Sequence, residues 1–123
     1  MAETDVALKE AMTIEGALGV ALVDYGSGMA LGVMGGGRDL DLAVAAAGNT
    51  DLVRAKMRTM EMLGLDEGIE DVLVTLTGQY HVIRPLTSRT GQGLFLYVVL
   101  DRSRANLAMA RHRLKQIEAT LQV

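Results

Sequence analysis

The chain has no cysteine, no tryptophan, one phenylalanine and one proline, and aromatic residues make up only 3% of it. Without cysteine there are no disulfides and no thiolate metal ligands, which suits a reducing compartment. With so few aromatics, the core has to be built from Leu, Val, Ala, Ile and Met. The eight methionines then act as gap-fillers or as an adaptable surface. No apolar run reaches the ~18 residues that span a bilayer, because Asp, Arg or Gly interrupts each one. Membrane insertion is therefore not expected. The opening Met1-Ala2-Glu3-Thr4-Asp5 carries acidic charge where a signal peptide carries positive charge, so a cytoplasmic location is expected.

What is present is a chain of 123 residues, half of them hydrophobic. That length suits one domain over residues 1–123, able to bury roughly two-thirds of its unfolded surface. The net charge of −3 is unevenly spread: residues 1–71 hold 13 acidic and 5 basic side chains, and residues 72–123 hold 2 and 7. A negative total argues against a nucleic-acid partner. The uneven halves are explained either by acidic and basic faces of one fold or by a basic surface that docks an acidic partner. Arg104, Arg111 and Lys115 share one face of the last helix and are the candidates for the second reading.

No catalytic pattern stands out. Gly26-Ser27-Gly28 and Gly35-Gly36-Gly37 lack the Lys and the spacing of a phosphate loop or dinucleotide fingerprint. Asp39 and Asp41 would also repel a phosphate from the following helix start. His112 lies between Arg111 and Arg113, and His81 has no second ligand at a recognisable spacing, so no metal site is expected. Ser27, Ser88 and Ser103 have no evident base, and Glu70-Asp71 reads as a solvated pair. No catalytic residue, cofactor or metal is expected, and the chain does not read as an enzyme.

The element order follows from periodicity. A first helix at Asp5–Ile14 offers Val6, Leu8, Met12 and Ile14 for packing and ends at Gly16. Ala17–Val23 is apolar on both alternating faces, the mark of a strand buried on both sides. A turn at Asp24–Gly28 leads to a return strand at Met29–Met34. Gly35-Gly36-Gly37 reads as a flexible break, and a long helix spans Asp39–Gly64. Strands follow at Ile69–Thr77, half exposed, and at Tyr80–Arg84, stopped by Pro85. After a polar loop at Thr87–Gly93 comes Leu94–Leu100, again apolar on both faces. Asp101 or Ser103 is expected to cap a last helix with the stripe Leu107, Ala110, Leu114, Ile117, Leu121.

Placing the two doubly buried strands side by side gives a five-stranded, mainly antiparallel sheet in the order 2-1-5-4-3. It is an α+β sandwich, with the long helix on one face and the first and last helices on the other. Five strands at ~4.8 Å spacing are about 20 Å across, and the helix at 1.5 Å per residue is about 38 Å long, so it can cross the sheet diagonally.

That helix has more apolar surface than one sheet can cover. At about 100° per residue, Leu42, Ala46, Asn49, Val53, Met57 and Met60 make a sheet-facing stripe. Roughly opposite lie Val44, Ala47, Gly48, Asp51, Ala55, Arg58 and Met62, mostly small. Alanine alone could reflect helix propensity at exposed sites. Glycine in a helix interior instead costs ~1 kcal/mol relative to alanine, and a closely packed twin helix would give Gly48 a reason. A two-fold homodimer through Val44, Ala47, Gly48, Asp51, Ala55 and Met62 is predicted. Thr50, Arg54 and Glu61, with Arg58 beside them, read as a polar flank.

Gly19-Val20-Ala21-Leu22-Val23-Asp24 with Gly26-Ser27-Gly28, and Leu96-Tyr97-Val98-Val99-Leu100-Asp101-Arg102 with the helix at Asn106-Leu107-Ala108, resemble the roadblock/dynein light chain family. The likeness covers roughly residues 5–121. It implies a sandwich related to the profilin and longin folds, and homodimers formed by the long helix and the edge strand after it. It also implies kinship with bacterial members that bind Ras-like small GTPases. Arg54, Arg58 and Glu61 would then line a platform for that partner. The expected function is a non-enzymatic homodimeric adaptor or regulator. The alternatives are a structural dimerisation subunit without effect on GTP hydrolysis, and a small-ligand or peptide sensor anchored on His81 or Tyr97.

Overall fold

The computed structural model describes residues 3–87 and 91–121. Of the expected polar loop, residues 88–90, Ser88 among them, lie outside the described residues. The elements in chain order are α1 (Thr4–Met12), β1 (Ala17–Asp24), β2 (Met29–Gly35), α2 (Leu42–Met62), β3 (Val72–Thr75), β4 (Gln79–Pro85), β5 (Leu94–Asp101) and α3 (Leu107–Thr120). All neighbouring strands are antiparallel, and the spatial order is β2-β1-β5-β4-β3, as expected.

β1 and β5 are central because both of their faces are apolar. Val20 and Leu22 of β1, with Leu94, Leu96, Val98 and Leu100 of β5, meet Leu8 and Ala11 of α1 and Ala110, Leu114 and Ile117 of α3. On the other face Ala21, Val23, Phe95, Tyr97 and Val99 meet Leu42, Ala46 and Val53 of α2. The single phenylalanine is fully buried there and stacks on Tyr25 with ring centroids 6.5 Å apart. β2 and β3 are the edges. A register shift between Leu22 and Val23 breaks the ladder of β2 opposite Leu31, a bulge of the kind that blunts edge pairing.

Several ends differ from expectation, each for a local reason. α1 stops at Met12 and buries Ala7, Leu8 and Ala11, leaving Val6 exposed. α3 is capped by Asn106, whose Oδ1 accepts from the Met109 N–H at 3.1 Å. Neither proposed cap is free for that role, because the Asp101 carboxylate accepts from the backbone N–H and the hydroxyl of Ser103. These bonds hold the Asp101 carboxyl below its ordinary value. β3 starts only at Val72, since Asp71 turns inward to meet arginines. α2 starts at Leu42, after Asp41 accepts from the Ala43 and Val44 N–H groups. It ends in a Schellman closure, with Leu65 N–H bonded to Met60 C=O and Gly64 at φ +69°.

The triple glycine is an ordered seat for α2. Gly35 and Gly36 adopt φ +73° and +78°, and a Cβ on Gly35 would lie 2.7 Å from the Leu18 carbonyl oxygen. A Cβ on Gly36 would lie 2.9 Å from the carbonyl oxygen of Leu40. Gly37 then bridges to Leu40 through a pair of backbone hydrogen bonds. Bare backbone at these positions lets Leu40 and Leu42 settle against the sheet at the head of the helix.

Candidate interaction surface

The lower side of α2 is the expected stripe: Leu42, Ala46 and Val53 are buried, and Asn49, Met57 and Met60 are half-buried. Thr50 corrects its assignment to the polar flank. It is 3% exposed, and its hydroxyl donates to the Ala46 carbonyl at 2.7 Å. This satisfies the hydroxyl within the helix and leaves the methyl free to pack toward Gly28 of the β1–β2 turn.

A polar layer lies between α2 and the sheet. The Tyr97 hydroxyl bonds Asn49 and lies 3.0 Å from His81 Nδ1, while His81 Nε2 lies 2.9 Å from Gln79 Oε1. Since Oε1 can only accept, the ring proton sits on Nε2 and Nδ1 accepts from tyrosine. Burial lowers the His81 pKa and raises that of Tyr97, with the Asn49 bond opposing the latter. The two side chains named as anchors for a small ligand thus have polar atoms engaged with one another.

The upper side of α2 faces outward. Val44 is 68% and Met62 80% exposed, Ala47, Gly48 and Asp51 are exposed, and Ala55 is half-buried. Among the described residues, a Cβ on Gly48 would have nothing within 4 Å, so no close approach among them accounts for this glycine. Arg54, Arg58 and Glu61 are also exposed, and among the described residues neither they nor Asp51 form an ion pair. Leu73 of β3 and Leu76 beyond it add exposed apolar surface at the neighbouring sheet edge. Between edge and helix runs a groove of about 490 Å³ lined by Leu52, Ala55, Lys56, Thr59, Ile69, Asp71 and Val72.

On the opposite side of the molecule the basic face of α3 is partly committed. Arg111 grips Asp71 with two bonds, 2.7 and 3.0 Å, which raise the Arg111 pKa. Asp71 is therefore not part of a solvated pair with Glu70; its side chain is 7% exposed. It also lies 3.9 Å from Arg84, which bonds Glu118 at 2.6 Å. Glu118 accepts further from the N–H and hydroxyl of Thr87. Burial pushes the Glu118 carboxyl up, but the bonds from Arg84 and Thr87 outweigh it and leave it below its ordinary value. This buried network was missed in the sequence. Its signals were Arg84 between the apolar Ile83 and Pro85, and Glu118 one turn beyond Leu114 on the α3 stripe. Arg104 and Lys115 remain exposed.

The glycine turn is a turn: Asp24 Oδ1 accepts from Gly26 N–H, Gly28 N–H bonds Asp24 C=O, and Gly28 sits at φ +78°. Among the described residues no group of three or more His, Cys, Asp or Glu could hold a metal ion, and no helix is long and apolar enough to cross a membrane.

No protein-family profile and no curated protein matches the chain. Solved structures do. A Roadblock/LC7 domain from Streptomyces avermitilis superposes with a TM-score of 0.79 at 16% identity, over 97% of this chain and 94% of that one. MglB from Myxococcus xanthus gives 0.73 at 21% identity, over 92% and 77%. An MglB with a tetrameric arrangement gives 0.76 at 17%, over 91% and 79%. Together with the strand order and the helix on each face, these superpositions establish that the chain has the roadblock fold.

Proposed function

We propose that this chain is a bacterial, cytoplasmic member of the roadblock/dynein light chain family, one domain over residues 1–123. It acts as a non-enzymatic homodimer that binds and regulates a Ras-like small GTPase. The observation that carries the reading is the outer face of α2, where Val44 and Met62 stand exposed near its two ends and, among the described residues, a Cβ on Gly48 would meet nothing within 4 Å. Large apolar side chains left exposed along one face of a helix favour reading that face as an interaction surface. The tetrameric arrangement of one MglB structure supports an assembling surface on this fold. The two copies of α2 would form a platform, with Arg54, Arg58 and Glu61 as its charged border.

The test is to add the purified chain to the Ras-like GTPase of its own source and measure hydrolysis and nucleotide release. A change in either rate is expected, and Arg54→Glu should weaken GTPase binding at least about tenfold, the loss of ~1.4 kcal/mol, while the dimer persists. Binding without a change in either rate would favour the second reading, a structural dimerisation subunit. No binding at all would sink both the GTPase partner and the border residues.

A further inference from the structure

We propose that the cavity beside the Arg84–Glu118 pair binds a short aliphatic monocarboxylate, held by the guanidinium of Arg84. The site depends on neither the homodimer nor the GTPase, so its failure would leave the proposed function standing. It is a hollow of about 340 Å³ between α3 and the segment that leads into β3, within the size range of small-ligand clefts. Gly68, Ile69 and Ala119 give it apolar walls, while Arg84, Thr87 and Glu118 supply polar atoms. Glu70 and Lys115 also line it and are exposed.

Arg84 is 5% exposed, yet most of its N–H donors are unused. Among the described residues its hydrogen bonding is confined to Nε, which donates to Glu118 Oε1 at 2.6 Å. Nη1 lies 3.9 Å from Asp71 Oδ2, beyond hydrogen-bond distance. No fully buried side-chain nitrogen is without a partner among the described residues, so the unbonded Nη groups open onto the cavity that Arg84 lines. The edge formed by Nη1 and Nη2 is a planar fork that matches one carboxylate through two parallel bonds. Both nearby carboxylates are engaged elsewhere: Glu118 Oε2 accepts from the N–H and hydroxyl of Thr87, and Asp71 is held twice by Arg111. The charges of Asp71, Arg84, Arg111 and Glu118 balance. Lys115, which forms no ion pair among the described residues, supplies the further positive charge for an incoming anion. Glu70 at the same opening disfavours a second negative charge, and the walls of Ile69 and Ala119 suit an aliphatic tail. A monocarboxylate therefore fits better than a phosphate.

The experiment titrates butyrate into the chain and follows the Arg84 Nε–H and the amides of residues 68–70 by NMR. Saturable shifts at these groups are expected with butyrate. Neutral butyramide, which keeps the tail but not the charge, should bind at least about tenfold more weakly. Lys115→Gln should weaken butyrate binding about threefold, the loss of one exposed charge. Arg84→Lys keeps the charge but loses the fork, and should weaken binding more than about tenfold. Since Arg84 also holds the fold together, Ala119→Leu is the decisive variant: it fills the cavity from an exposed position on α3 and should abolish the shifts in a folded chain. Absence of saturable shifts with butyrate would overturn the site, as would full binding by Ala119→Leu. Butyramide or inorganic phosphate binding as tightly as butyrate would overturn the carboxylate as its ligand.

Discussion

Glu118→Ala is expected to destabilise the chain by about 3 kcal/mol, the lower end of what removing one partner of a buried ion pair costs. Arg84 is 5% exposed, and its Nε rests 2.6 Å from Glu118. Asp71, 3.9 Å from Arg84 and already doubly bonded to Arg111, offsets the lost carboxylate only in part. Thr87 also loses the acceptor for its N–H and hydroxyl. Replacing both Arg84 and Glu118 with leucine should recover much of the loss, because apolar substitution removes the desolvation penalty along with the pair. Denaturant unfolding of the three variants checks this. The acid side of the stability profile gives a second reading. The Glu118 carboxyl sits below its ordinary value when folded, so its contribution is present above the unfolded carboxylate range and is lost as pH falls through the folded value. Glu118→Gln should flatten that acid-side fall.

Gly35→Ala and Gly48→Ala should move stability in opposite directions. At Gly35 the left-handed backbone costs a side chain about 1–2 kcal/mol, and overpacking adds about 1–3 kcal/mol. The new methyl would sit 2.7 Å from a backbone oxygen of β1 and 2.8 Å from Met12 Cε. A loss of roughly 3 kcal/mol is expected from these two terms. Gly48 is in the middle of a helix with open space around it, so alanine there should stabilise the single chain by about 1 kcal/mol. Thermal or denaturant unfolding at low protein concentration checks both signs.

The contrast between these glycines shows what could be read without coordinates. The strand order was legible because Ala17–Val23 and Leu94–Leu100 are apolar on both alternating faces and so had to be central. The sheet-facing stripe of α2 was legible for the same reason, since periodicity reports which side of an element is covered. Periodicity is silent about contacts between residues far apart in sequence. Asp71 meets Arg111 across 40 residues, and Arg84 meets Glu118 across 34. Nothing in a local window distinguishes these side chains from solvated ones. Thr50 failed differently: it lies at the border of the buried stripe, and its hydroxyl is satisfied by its own helix. The triple glycine looked flexible by composition, yet its positive φ angles and tight contacts hold the head of α2 in place. As for the proposed interface, its exposed residues were legible as a second stripe on the helix.

The central claim is that the outer face of α2 belongs against a second copy of itself. Sedimentation equilibrium at micromolar concentration tests it most directly. The account predicts a species of about twice the 13.1 kDa chain mass, shifted toward the single-chain mass by Gly48→Leu, which would fill the space needed for close helix approach. A wild-type chain that sediments as a monomer throughout that range would contradict it.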